Sequence, residues 1–218
     1  MKQLMALAAM LFCIASQAQI MGSSGNAYIS GDYAKTQFNP EALNNTFTDP
    51  GDAFRTLTTF GLSVCGTSSG RSTAEWDGTA SLHYFQPQVV RPWGDSIQFR
   101  VRGWELMTSL FGYDVLRGAH NVDLVVGPGF YWGNLKLREK NSTTGQEGLY
   151  KNPFVAPCVR ADLRVILWRL VIGARVSYRY DITQPKWKRF DDNLAVLPGY
   201  KFRGVQYVAY IGWAHAGN

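Results

Sequence analysis

Between residues 154 and 183 the chain reads FVAPCVRADLRVILWRLVIGARVSYRYDIT, and its side chains fall into two interleaved sets with a period of two. That period belongs to a strand whose two faces meet different surroundings. Val155, Pro157, Val159, Ala161, Leu163, Val165 and Leu167 form an apolar set, with Ala156, Cys158, Arg160, Asp162 and Arg164 between them. Beyond Trp168-Arg169 the alternation resumes in opposite phase. Leu170, Ile172, Ala174, Val176, Tyr178 and Tyr180 now stand against Gly173, Arg175, Ser177, Arg179 and Asp181. The pattern predicts a hairpin with one apolar and one arginine-rich face. A tight turn at Trp168-Arg169 sets Asp162 opposite Arg175, Arg164 opposite Gly173 and Arg160 opposite Ser177, although Trp-Arg lacks the glycine or asparagine usual in such turns.

Alternation alone also fits a soluble lipocalin-like barrel, apolar inside and solvated outside. The polar set decides between them: it holds Arg, Asp, Ser, Gly and Ala, and no Lys or Glu. These residues suit a narrow packed interior in which guanidinium groups are fixed by carboxylates. Lys35, Lys136, Lys140, Lys151, Lys186, Lys188 and Lys201 fall near strand ends or in connections, which turns the apolar faces towards lipid.

Strands are predicted at 26–38, 55–66, 73–86, 96–116, 122–137, 153–167, 169–183 and 200–214. The fold class is therefore all-β, a closed antiparallel up-and-down transmembrane β-barrel of eight strands. Connections 39–54, 87–95, 138–152 and 184–199 are expected to be long and extracellular, alternating with short periplasmic turns. In the second strand Phe60, Leu62 and Val64 face outward, against Thr59, Gly61, Ser63 and Cys65. In the third, Trp76, Ala80, Leu82 and Tyr84 oppose Asp77, Thr79, Ser81 and His83. In the fifth, Val122, Leu124, Val126, Phe130 and Trp132 oppose Asp123, Gly127, Gly129 and Gly133, whose missing side chains leave room for arginines. In the fourth, Ile97, Phe99 and Val101 are read as outward and Gln98, Arg100 and Arg102 as inward. The phase then blurs at Gly103-Trp104, where a bulge would turn Glu105 inward; a short helix over 104–112 competes.

Lys2, the apolar run 4–15 and Ser16-Gln17-Ala18 read as a signal peptide over 1–18, too short to span a bilayer. Residues 19–218 are expected to form a single outer-membrane β-barrel domain. Removing the leader takes away Lys2 and lowers the net charge from +6 to +5. The basic residues occupy strand alternation positions and not a surface cluster, so nucleic acid is not an expected partner. No later apolar run is long enough for a membrane helix, which leaves a closed barrel as the spanning structure. Cys65 and Cys158 fall on strands placed far apart and are expected to stay reduced.

In this whole-chain pattern the sequence resembles the small eight-stranded outer-membrane barrels of the OmpA/OmpX-like kind. The resemblance implies location in a bacterial outer membrane after signal-peptide cleavage. Such barrels end in an aromatic residue, for which Trp213 is the counterpart, here followed by an atypical Ala-His-Ala-Gly-Asn tail.

Candidate chemistry is sparse. His83, His120 and His215 are the available general bases. His83 follows Ser81 on one inward face, but the His-x-Ser element of lipid A deacylases is missing because Tyr84-Phe85 follows His83. Isolated histidines and single cysteines lack metal-site spacing, so no catalytic residue, metal or cofactor is expected. The expected polar network of the lumen is Arg100, Arg102, Glu105, Arg160, Asp162, Arg164, Arg175, Arg179 and Asp181. At the outer rim Lys186, Trp187, Lys188 and Arg189 alternate cations with a ring, and Arg138, Lys140 and Lys151 border the preceding connection. Cations and rings together suit contact with lipopolysaccharide phosphates. The leading expectation is a non-enzymatic structural or interaction protein with a plugged lumen, working through its outer loops. Its partners would be outer-membrane lipid, lipopolysaccharide or a protein of that membrane. A passive channel or transporter and a lipid-modifying barrel enzyme are the alternatives.

Overall fold

The computed structural model describes residues 26–38, 40, 44, 54–67, 77–91, 97–116, 121–183, 186–189, 195–198 and 201–216. The expected leader, Trp76, His120 and the side chains of Lys186, Lys188, Arg189 and His215 lie outside what is described. Eight long strands form the wall: β1 (Asn26–Gln37), β2 (Thr56–Thr67), β3 (Asp77–Val90), β4 (Ile97–Ser109), β5 (Val122–Asn141), β6 (Glu147–Leu167), β7 (Leu170–Arg179) and β8 (Gly204–Ala216). Each pairs antiparallel with its neighbours in sequence, and β8 returns to β1 through pairs such as Tyr33↔Ala209, which closes the barrel.

The β6–β7 hairpin has the register expected of a two-residue turn, with Asp162↔Arg175, Arg164↔Gly173 and Leu167↔Leu170. Trp168 makes this turn by adopting φ 57°, a left-handed conformation uncommon for a bulky residue. It is held there by neighbours. Its ring meets Trp213 edge-on at 6.1 Å, and the Arg169 carbonyl accepts from the Ala214 amide at 2.7 Å.

Two expectations about the wall are corrected. β4 runs from Ile97 to Ser109 in unbroken register with β5, so there is neither a bulge at Gly103-Trp104 nor a helix over 104–112. The irregularity lies in β3 instead, between Phe85 and Gln88, where Pro87 has no amide to give to a ladder. Nor do connection lengths alternate as expected, since 91–96 and 142–146 are shorter than 68–76 and 110–121. Much of 138–152 is strand. β5 and β6 continue to a tight turn in which Asn141 Oδ1 accepts from the amides of Thr143 at 2.9 Å and Thr144 at 3.1 Å and Gly145 takes φ 70°. Within 184–199, strands Lys186–Arg189 and Ala195–Pro198 pair with each other, and the first also pairs with β6. The asymmetry between the two ends is thus an overhang of sheet at the end opposite the termini, here the far end.

Outward positions carry an apolar belt bounded by aromatic rings. At its far edge Tyr33, Phe60, Tyr84 and Trp104 stand directly opposite one another across β1, β2, β3 and β4; Trp104 also packs edge-on against Trp132. Trp168 and Trp213 mark the terminal edge. Aromatic girdles of this kind sit where hydrocarbon gives way to headgroups.

The interior has two zones. Towards the terminal end it is polar and holds the charged residues. Towards the far end it is a dry plug, in which Phe38, Phe54, Phe85, Phe154, Trp187 and Phe202 are all fully buried. Phe202 sits at its centre, with its ring centroid 4.7 Å from Phe154, 5.7 Å from Phe85 and 5.8 Å from Phe38.

Candidate functional site

Alternation on β1, β3, β4, β6, β7 and β8 carries charged and hydroxyl side chains into the lumen, where every charge must find a partner because an isolated ion there is costly. Asp77 accepts from Arg160 Nη2 at 2.5 Å and from Arg164. Asp162 accepts from Arg175 Nε and Arg160 Nη1, both at 3.2 Å, and from the Tyr210 hydroxyl at 2.6 Å. Glu105 accepts from Arg179 Nη1 and from Gln206 Nε2, both at 2.6 Å. Three guanidinium groups also lie over ring faces, Arg164 over Tyr28, Arg175 over Tyr210 and Arg179 over Phe202 at 3.9 Å, an attraction suited to cations removed from water.

His83 stands between two carboxylates, with Nε2 3.0 Å from Asp32 Oδ2 and Nδ1 3.3 Å from Glu105 Oε1. An imidazole so placed satisfies both only when both nitrogens donate. Ser81 lies nearby, but its hydroxyl accepts from Arg175 Nη1 at 3.0 Å and lies 2.6 Å from Ser63 Oγ, whose own proton goes to Asp32. The nucleophile and base imagined from Ser81 and His83 are each engaged elsewhere inside a buried network. Asp32 also receives Ser30 at 2.9 Å and Ser63.

The expected lumen set therefore divides. Glu105, Arg160, Asp162, Arg164, Arg175 and Arg179 come together. Asp181 is buried but apart, capping the mouth by accepting from the amides of Thr183 at 2.8 Å and Phe202 at 2.9 Å. Arg100 and Arg102 are exposed on the outer surface, a correction. β4 keeps one phase throughout, and its inward positions at this height are Phe99 and Val101, which belong to the plug. Asp32, Asp77, His83, Tyr131, Gln206 and Tyr210 complete the network. Alternation signalled Asp77 and His83, and Tyr131 shares the inward face of β5 with Gly129 and Gly133, whereas Asp32, Gln206 and Tyr210 required the pairing of β1 and β8.

The glycines of β5 make room, though not for arginines as expected. A Cβ at Gly133 would run into the Phe154 ring, and one at Gly127 would meet the Phe111 carbonyl. Cys65 and Cys158 are buried free thiols, and no group of side chains among the described residues could hold a metal.

The second charged feature is on the outside of the overhang. Directly past the aromatic row, Arg102 stands opposite Lys136, Lys136 opposite Lys151, and Lys151 opposite the backbone position of Lys188. Two residues further out, Arg100 faces Arg138. Cations directly opposite on a sheet repel one another. Arg138 is moderated by Glu147, whose Oε2 accepts Nη2 at 2.5 Å and Nε at 3.2 Å. Those hydrogen bonds hold the exposed Glu147 carboxyl below the usual carboxylate range. Arg100, Arg138 and Lys140 line a cleft of about 170 Å³ with Val89 and Gln98.

Of the expected rim set, Trp187 is corrected. It is fully buried in the plug, because an indole there completes an aromatic core that would otherwise be open. The backbone positions of Lys188 and Arg189 lie opposite Lys151 and Tyr150.

No family model matches the chain, and no curated protein matches it by sequence. Among solved structures it is similar to Ail, the attachment invasion locus protein of Yersinia pestis, at 12% identity and TM-score 0.50, covering 89% of this chain and 100% of that one. It is also similar to Neisserial surface protein A, at 8% identity and TM-score 0.43 over 89% and 98%. A third is a major outer membrane protein of Thermus thermophilus, at 9% and 0.47 over 87% and 98%. At 12% identity the likeness to Ail shows the fold, that of the small eight-stranded outer-membrane barrels.

Proposed function

We propose that this eight-stranded outer-membrane barrel is a non-enzymatic structural and interaction protein that works from its far end, where the outer faces of β4, β5 and β6 hold phosphate-bearing lipid, above all lipopolysaccharide. In barrels of this class the longer excursions of the chain lie outside the cell, which turns the overhang outward. The observation that carries the reading is the position of the Arg102–Lys136–Lys151 row, one outward residue beyond the aromatic row that ends the lipid belt. Charges at that level meet headgroup phosphates, and each cation near an anionic surface contributes on the order of 1 kcal/mol.

The interior supports the same reading. A wall of about eight strands is only wide enough to be filled by side chains, and here an ionic network and an aromatic plug succeed one another along the axis. The serine and histidine within it are committed to other partners. A substrate-sized opening would require both zones to be dismantled, which favours neither the channel nor the enzyme.

The test is purification from native outer membranes in mild detergent, with lipopolysaccharide and glycerophospholipid counted per barrel, beside lipid profiles of cells with and without the protein. Enriched lipopolysaccharide and identical profiles are expected. Bound lipid of the same composition as the bulk membrane would overturn the ligand, and an altered acyl or headgroup pattern would overturn the non-enzymatic reading.

A further inference from the structure

The cationic face is taller than a phospholipid headgroup. Strands rise about 3.3 Å per residue, and barrel strands tilt by about 40°. Successive outward residues on one strand therefore differ by roughly 5 Å along the membrane normal. If Trp104 marks the edge of the hydrocarbon, Arg102 lies about 5 Å above it and Arg100 about 10 Å. Gln98 lies about 15 Å above it by the same rise and tilt, and Lys140, opposite Gln98 on the next tilted strand, about 18 Å. The interfacial layer on each side of a bilayer is only about 5–8 Å deep. Directly opposed residues on tilted neighbouring strands also climb by roughly 3 Å per strand from β4 to β6, which puts Arg102 and Lys136 within it, Lys151 at its upper margin, and Arg138 and Lys140 of the cleft beyond that margin.

We infer that this cleft is a second, distinct anion site, one that takes a phosphate carried on the saccharide of lipopolysaccharide and not the phosphates of its lipid anchor. A phosphate at that height must be borne by a lipid with a tall polar part, which a glycerophospholipid lacks. The donors fit. Two guanidinium groups side by side offer planar forks to a tetrahedral anion, Lys140 adds a point charge, and Gln98 offers an amide. Arg138 uses Nε and Nη2 on one oxygen of Glu147 and leaves Nη1 without a partner among the described residues. Arg100 has no carboxylate partner among them. The volume of about 170 Å³ compares with about 30 Å³ for one water, so there is room for a phosphate with part of its sugar. Recognition is then in two tiers, a lower one for the anchor and an upper one for the phosphorylated core.

This inference rests on the proposed lipopolysaccharide function, and the experiment separates the two. Purified full-length protein, freed of lipid in detergent, is titrated with diphosphorylated lipid A, with lipopolysaccharide carrying a phosphorylated inner core, and with the same core stripped of phosphate. The wild type should bind the phosphorylated core about tenfold more tightly than lipid A, as one or two added charge-assisted contacts would give. Arg100→Gln with Arg138→Gln should erase that gain and leave lipid A affinity unchanged. Arg102→Gln, Lys136→Gln and Lys151→Gln together should weaken all three ligands, and heat-modifiable gel mobility checks that each variant is folded. Equal affinity of the wild type for all three ligands would overturn the upper site while leaving the lower tier standing. Failure to bind any of them would overturn both. Loss of lipid A affinity in the Arg100/Arg138 variant would overturn the division into tiers.

Discussion

Asp162 stands directly across the β6–β7 hairpin from Arg175, its Oδ2 3.2 Å from the guanidinium Nε. Neither is accessible to water. The same carboxylate takes Arg160 from its own strand and the Tyr210 hydroxyl from β8, so one acid ties three consecutive strands together. Register and electrostatics agree: a slip of two residues would set Arg164 against Arg175. In the observed register Arg164 faces Gly173, and the Tyr210 ring fills the space a side chain would have occupied there.

Asp162→Ala strands buried guanidinium groups, and breaking a buried pair from one side costs about 3–5 kcal/mol. The urea midpoint, followed by heat-modifiable gel mobility, should fall accordingly. Replacing Asp162 and Arg175 together with leucine should recover much of the loss. An unchanged midpoint in Asp162→Ala would show that the pair contributes nothing.

Phe202 is the centre of the plug, touching the rings of Phe38 just past β1, Phe85 of β3 and Phe154 of β6, and lying under Arg179. Phe202→Ala should lower stability by about 3–5 kcal/mol, the usual cost of emptying an aromatic site. An unchanged unfolding midpoint would mean that the mouth is not packed as described.

Planar bilayer recording should give no stable conductance for the wild type. Phe202→Ala should conduct no better, because the ionic network lies beneath the plug. Steady unitary currents from the wild type would contradict a closed lumen.

Glu147 competes with an incoming phosphate for Arg138. Glu147→Gln should tighten binding of phosphorylated lipopolysaccharide by about two- to fivefold, in keeping with a solvent-exposed pair. Weakened binding in a titration of this variant would mean that the pair holds Arg138 in place for the ligand.

The hairpin was legible because a period of two and a two-residue turn determine both face and register, and Trp168 tolerates a positive φ that its type disfavours. Alternation did not reveal which face looks inward, and at β4 this mattered. Within the lipid belt a barrel is apolar outside and polar inside; above it, water replaces lipid and a dry plug replaces the ionic network. Phe99 and Val101 go in and Arg100 and Arg102 go out without any change in backbone phase, so the supposed bulge was a reversal of environment. The same reversal hid the strand character of 138–152, where Lys136, Arg138 and Lys140 alternate with Leu135, Leu137 and Glu139. Trp187, set among cations, had the sequence signature of an interfacial anchor. Only the contacts across the barrel mouth place it in the core.

The most direct test compares two faces of one barrel at equal change in charge. One variant neutralises Arg102, Lys136 and Lys151 on β4, β5 and β6; the other neutralises the exposed Lys35, Arg55 and Arg203 around β1, β2 and β8. Lipopolysaccharide retained per folded barrel is then measured over a salt series. Retention should fall several-fold and become more salt-sensitive in the first variant and match the wild type in the second. Equal losses in both would mean that net charge and not this face holds the lipid.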